Sequence, residues 1–314
     1  MALAPLDETG VVPAVADALH ETLLAWFGSH ARDLPWRATG CSPWGVLVSE
    51  LMLQQTPVAR VEPAWRAWME RWPTPGDLAE APTADVLRAW GRLGYPRRAL
   101  RLQECARTIS RDHAGIVPST EDALVALPGI GAYTAAAIVA FAYRRRAVVL
   151  DTNVRRVLAR VMDGAALPAP SLTVAERRRA TSVVPGDDAR AAAWAGASME
   201  LGALVCTARS PRCDVCPVAS LCRWRADGYP DDKHAHRRRS QPWTGTDRQV
   251  RGVIMAELRA ADHPMPETEL ARAWPDREQR ARALDGLAHD GLLVRARDAD
   301  ADGDLLPTLV SLPR

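Results

Sequence analysis

The chain has 314 residues, 47% apolar and 25% charged, enough apolar material for two cores or for one core and a smaller module, which excludes disorder as its default state. No apolar run reaches the roughly 18 residues of a membrane span, and residues 1–10 carry neither a basic start nor an apolar stretch, so a cytoplasmic protein without membrane contact is expected. A formal charge of +2 is too small to demonstrate a polyanionic partner, and with Lys233 the only lysine, chemistry by a lysine amine is nearly excluded.

In chain order, residues 15–27 show helical apolar spacing (Val15, Leu19, Leu23, Leu24, Trp26, Phe27), and a loop from Gly28 leads to Asp33-Leu34-Pro35-Trp36-Arg37. Helix 43–55 starts with Ser42 as N-cap and Pro43 at the first helical position, where its missing N–H does no harm. Further helices are expected over 60–71, 84–90, 97–112, 121–126, 133–143, 154–162 and 189–204, and strand-like alternation is scarce before residue 290. The fold class is therefore all-α. Arginines cluster at 97–101, 144–146, 177–179 and 237–239; such clusters serve either as solvated faces or as contacts to a polyanion.

The polar stretch 226–246 has the composition of a linker. Beyond it, Val250, Val253, Ile254 and Leu258 mark an amphipathic helix, 269–274 a short second and 277–289 a third. Apolar runs at 292–294 and 305–310 suggest strands around a polar turn. Three helices and a hairpin over 247–314 resemble a winged-helix module.

Four of the six cysteines crowd together as Cys206-x6-Cys213-x2-Cys216-x5-Cys222. Without an export signal, metal or cluster ligation explains the crowding better than disulfides do. Zinc sites usually pair two short Cys-x-x-Cys knuckles and only one is present, so zinc is the rival reading to a 4Fe-4S cluster. Cys41 and Cys105 read as ordinary buried or partly buried thiols.

Leu127-Pro128-Gly129-Ile130-Gly131 permits a tight turn whose free amides, at the start of the next helix, suit a phosphate oxygen; the bland reading is a helix connector. Glu50 is the lone acid in an otherwise apolar helix, so it either finds a partner such as Arg37 or holds a proton near neutral pH and acts as a general acid. Asp151, directly before helix 154–162, reads as an N-cap; the helix end should keep it ionised, below the usual aspartate range, and an anion there suits a sugar cation.

Val48-Ser49-Glu50-Leu51-Met52-Leu53-Gln54-Gln55-Thr56, with the hairpin and the cysteine spacing, resembles the adenine DNA glycosylases of the helix-hairpin-helix superfamily over about residues 20–225. The resemblance implies a 4Fe-4S loop held by the four cysteines, a helical cluster domain of residues 1–36 and 146–225, and a six-helix domain of 37–145 with the hairpin. It implies a monomeric, monofunctional base-excision enzyme that flips adenine out of double-stranded DNA opposite 8-oxoguanine or guanine. Glu50 would protonate the adenine, Asp151 would stabilise the oxocarbenium ion, Asn153 would position Asp151, and Tyr133 would line the pocket. Trp36, Arg37 and Leu53 would surround the base. Gln55, Thr56, Leu93 and Tyr95 would probe the opposite strand, while Gly129, Gly131 and Arg209 would hold the DNA, Arg212 lying in the same basic loop. Endonuclease III uses a lysine where Tyr133 stands, so strand cleavage is not expected. Gly196 stands where relatives often have Glu or Gln, and the short C-terminal region differs from theirs, so reading of 8-oxoguanine is either weaker or supplied by the module. The alternatives are a thymine or uracil mismatch glycosylase and a non-catalytic, cluster-bearing DNA-binding protein.

Overall fold

The computed structural model describes residues 13–237, 243–297 and 307–314. Among these, the first part is helical throughout: α1 (Pro13–His30), α2 (Pro43–Leu53), α3 (Val58–Arg71), α4 (Pro75–Glu80), α5 (Thr83–Trp90), α6 (Arg97–Asp112) and α7 (Glu121–Val125). α8 (Ala132–Tyr143), α9 (Thr152–Asp163), α10 (Val174–Ser182), α11 (Asp188–Leu204) and α12 (Arg223–Ala226) complete it. At the C-terminal end come α13 (Asp247–Ala260), β1 (Met265–Pro266), α14 (Arg277–His289), β2 (Val294–Ala296) and β3 (Leu309–Ser311), with the strands antiparallel in the order β1-β3-β2. The helix, helix and hairpin of the expected module are present, and residues 305–306 of the expected second strand lie outside the described residues.

Several elements differ from expectation for local reasons. The unexpected α4 and α10 both open on a capping box, Thr74 with Asp77 and Thr173 with Glu176. That signal is in the sequence, but α4 has 6 residues and α10 is polar around its turn, so neither shows an apolar stripe. α2 stops at Leu53 rather than 55, because Gln55 turns into the left-handed region with φ 57°. The expected helix at 269–274 is a 3-10 turn, Glu267–Ala271, and β1 is too short to leave an alternation in the sequence.

The described residues divide into two compact units. The first takes 13–46, 119–125 and 130–237; the second takes 47–118, 126–129 and the described part of 240–314. In the first, α1, α9 and α11 close a core of Leu19, Leu23, Val157, Leu158, Trp194 and Leu201. In the second, Trp68, Trp90, Leu87 and Leu102 are fully buried, and Trp68 meets Trp90 edge-on at 5.7 Å. The C-terminal helices belong to this second unit. Arg259 Nε donates to Leu87 O at 2.9 Å, Arg88 Nη2 to Ala261 O at 3.1 Å, and Arg97 pairs with Asp290 at 3.1 Å.

Candidate active site

Asp151 is the N-cap of α9, as its place in the sequence required: its Oδ1 accepts from Val154 N at 2.6 Å. Its Oδ2 accepts from Asn153 Nδ2 at 2.7 Å, and Asn153 Oδ1 in turn accepts from Arg156 Nη2 at 2.8 Å. Arg156 is buried and also donates to Gly202 O and Cys206 O, both at 2.7 Å. α9 and α11 approach so closely that a Cβ on Gly202 would stand 2.6 Å from that of Asn153. Asn153 is thus fixed from three directions. One expectation fails here. Burial pushes the Asp151 carboxyl above the usual aspartate range, and this outweighs the donors from Val154 and Asn153 and the nearby Arg156. The sequence displays the cap; it does not display how much of the solvent around it the other helices remove.

In the same unit, the 3-10 turn Pro35–Arg37 carries the buried Trp36 and places Arg37 against α11. Arg37 Nη2 donates to Glu200 Oε2 at 2.9 Å, and Arg32 donates to Glu200 through Nε at 2.7 Å, its backbone N at 2.9 Å and Nη2 at 2.8 Å. Glu200 is fully buried. Burial alone would raise its carboxyl, but the donors from Arg32 and Arg37 bring it down to about 2. Gly196, one turn earlier on α11, has the Phe27 ring where a Cβ would sit, with Cζ at 3.1 Å, and Arg37 lies over that ring at 5.5 Å. A glutamate at 196 would have to displace Phe27. Sequence reasoning missed Glu200, although the signal that singles out Glu50, one acid in an apolar helix, applies to it equally.

Glu200→Gln is expected to cost about 3 kcal/mol, since it leaves two part-buried arginines facing a neutral amide. A carboxyl held down gives stability that is complete above the ordinary glutamate value and is lost as pH falls toward the depressed one. Thermal melts from about pH 7 down to about pH 3 should therefore show a gap between wild type and variant that narrows on acidification; a constant gap would contradict the ion-pair account.

In the second unit, Glu50 is 5% exposed on α2, between the fully buried Val48 and Met52. Arg98 organises the turn at the C-terminal end of that helix. Its Nη1 donates to Leu51 O and Met52 O at 2.8 and 3.1 Å, and its Nη2 to Thr56 Oγ1, Leu93 O and Gly94 O at 3.0, 3.0 and 3.1 Å. Burial lowers its guanidinium to about 10, still charged at neutral pH. Of the four residues assigned to the opposite strand, Gln55 and Tyr95 are exposed, both with positive φ. Thr56 and Leu93 are buried, and the Thr56 hydroxyl donates to Leu93 O at 2.9 Å. Thr56 and Leu93 hold the loop from within, and Gln55 and Tyr95 face water. Leu53 is half-buried at the end of α2.

The hairpin has the glycine it needs at Gly129, where φ is +80° and a Cβ would stand 3.0 Å from Arg101 Cβ. Gly131 is the exposed N-cap of α8, and Tyr133, half-buried, is the second residue of that helix.

The four cysteines line one pocket, together with Arg160, Val218 and Trp224. Arg160 lies 4.5 Å over the Trp224 ring and donates to Cys206 Sγ at 3.3 Å. Burial, aided by the other thiols, pushes Cys216 up to about 11, so four thiolates here require a cationic group among them. Four thiols lining one pocket fit a 4Fe-4S cluster. Arg209 is exposed, whereas Arg212 is tied back to Leu204 O at 2.8 Å. Cys105, by contrast, is a buried thiol raised to about 12. No helix among the described residues is long and apolar enough to cross a membrane.

Residues 48–180 match the model of the HhH-GPD superfamily of base excision DNA repair proteins, and residues 206–222 match that of the iron-sulfur binding domain of endonuclease III. An adenine DNA glycosylase of Mycobacterium tuberculosis is 51% identical over 290 residues, covering 91% of this chain and 94% of its own. One of Mycolicibacterium smegmatis is 53% identical over 277 residues, covering 88% and 92%. Among solved structures, a thermostable thymine-DNA glycosylase aligns over 68% of this chain and 98% of its own, with a TM-score of 0.61 at 26% identity.

Proposed function

Since the chain belongs to the adenine DNA glycosylases, base-excision N-glycosylases with an iron-sulfur domain, we propose that it removes adenine mispaired with 8-oxoguanine or guanine, using Glu50 as acid and Asp151 as anion. Glu50 gives its proton to a ring nitrogen of the flipped adenine, and the bond from the base to the sugar breaks with its electron pair leaving on the purine. The sugar becomes an oxocarbenium ion beside Asp151, and water adds to give an abasic site and free adenine. An aspartate that burial leaves poorly solvated gains most when a cation forms next to it, so its raised carboxyl supports the role.

The observation that carries the assignment is the relay from Asp151 through Asn153 to Arg156, every link of which is 2.8 Å or shorter. It fixes the orientation of one carboxylate far beyond what a helix cap needs. Arg37, steadied by Glu200, Trp36 and Leu53 serve as adenine contacts. Tyr133 stands where a Schiff-base lysine would be needed for strand cleavage, so the product is an intact abasic strand. When bound, the cluster ties residues 206–222 into one folded loop, and Arg209 there and the amides around Gly129 and Gly131 serve to grip phosphates.

The test uses duplexes with A opposite 8-oxoguanine, A opposite G and T opposite G, each followed by alkali. Both adenine strands should break only after alkali, and the thymine strand should survive. Rapid nicking without alkali, or release of thymine with adenine left intact, overturns the reading.

A further inference from the structure

Two exposed aromatic rings and an arginine meet on the second unit. Tyr95 and Trp243 are 40% and 51% exposed, and the Arg248 guanidinium lies 4.4 Å from the first ring centroid and 5.3 Å from the second. Core packing does not explain rings left in water. Arg248 is the second residue of α13 and is itself exposed. Among the described residues it makes no hydrogen bond and no ion pair. The adjacent Asp247 is engaged elsewhere, by Gln279 and Arg282. The donors of Arg248 remain available.

The grouping is held on both sides. Tyr95 adopts φ 47°, a left-handed backbone that strains a non-glycine residue. Arg98 clamps the loop before it through Leu93 O and Gly94 O, and its guanidinium lies 5.6 Å from the Tyr95 ring. α13 is anchored by the buried Val250, Ile254 and Leu258 and by the bond from Arg259 to Leu87 O. Rings that stay exposed, a cation stacked on both and a strained backbone are what a nucleotide-stacking platform needs.

We propose that Arg248 and Trp243 of the C-terminal module complete, with Tyr95, the reader of the nucleotide opposite the adenine. Arg248 donates to an acceptor oxygen of that nucleotide while the rings stack on its base. This rests on the reading of Tyr95 as the residue that meets the opposite strand.

The acceptor is a phosphate oxygen or an oxygen on the base edge, and salt dependence separates them. Binding would be measured on product duplexes, with an abasic site opposite 8-oxoguanine, guanine or cytosine, across a salt series for wild type, Arg248→Ala, Arg248→Gln and Trp243→Ala. All three variants alter exposed side chains and should melt like wild type. Each arginine variant should lose about tenfold in affinity. An equal loss on all three duplexes with a salt slope lower by about one assigns the phosphate, and a loss largest opposite 8-oxoguanine assigns the base. Trp243→Ala should weaken binding with the salt slope unchanged. Arginine variants with wild-type affinity and slope on every duplex would overturn the proposal. Failure of the wild type to release adenine opposite 8-oxoguanine would instead sink the underlying reading.

Discussion

Glu50→Gln is expected to lower single-turnover adenine release by about 10³-fold or more while changing duplex affinity less than about twofold. Gln matches the shape of Glu, so among Leu47, Val48, Leu51 and Met52, all fully or almost fully buried, it opens no cavity and α2 keeps its place. What it lacks is a proton to hand over. Adenine leaves poorly as an anion, and the loss falls on the chemical step rather than on binding, so kcat drops and KM stays. Gel-shift affinity on the uncleaved mispair and quench-flow rates on the same duplex measure the two separately. A variant that still releases adenine at a comparable rate would move the acid to another group.

Much of this site is legible in the linear chain because its signals are local. The cysteine spacing lies within 17 residues, Glu50 is an acid in an apolar helix, and Asp151 stands directly before a helix start. The supporting shell is not local. Arg98 reaches back 47 residues to Leu51 O, Glu200 joins Arg32 across 168, and Arg156 meets Cys206 O across 50. Nothing in a window of sequence says which arginine is buried or which carbonyls need a donor. In the sequence Arg98 is one member of a basic cluster, with phosphate contact as one of its readings; in the fold it is an internal clamp for α2 and the Tyr95 loop.

The same limit applies to the C-terminal helices. The amphipathic stripe Val250, Ile254, Leu258 announces that α13 has a partner, and only the fold identifies it: α14 above all, with α5 tied on through Arg259 and Leu87 O. The inward set of Thr56 and Leu93 is hidden from the sequence for a related reason: which residues of a loop staple it to its neighbours depends on partners far along the chain.

Asp151→Asn should separate activity from stability. Asn caps a helix about as well as Asp, so α9 keeps its start, but the charge that steadies the sugar cation is gone and release should fall by about 10³-fold. Stability should move the other way. Burial raises the Asp151 carboxyl, so the folded state prefers it protonated. The resulting stability is complete below the ordinary aspartate value of 3.8 and is lost as pH rises through the raised one. At neutral pH the ionised side chain therefore works against the fold, and removing the charge should leave Tm at or above that of wild type. Under acid, with Asp151 protonated, the two melts should converge. The raised carboxyl also sets the acid limb of the wild-type rate above the ordinary aspartate range, because protonation there removes the anion. Calorimetry at several pH values and single-turnover rates over the same range test both halves. A variant less stable than wild type at neutral pH would show that the carboxylate is held for the fold and not for the reaction.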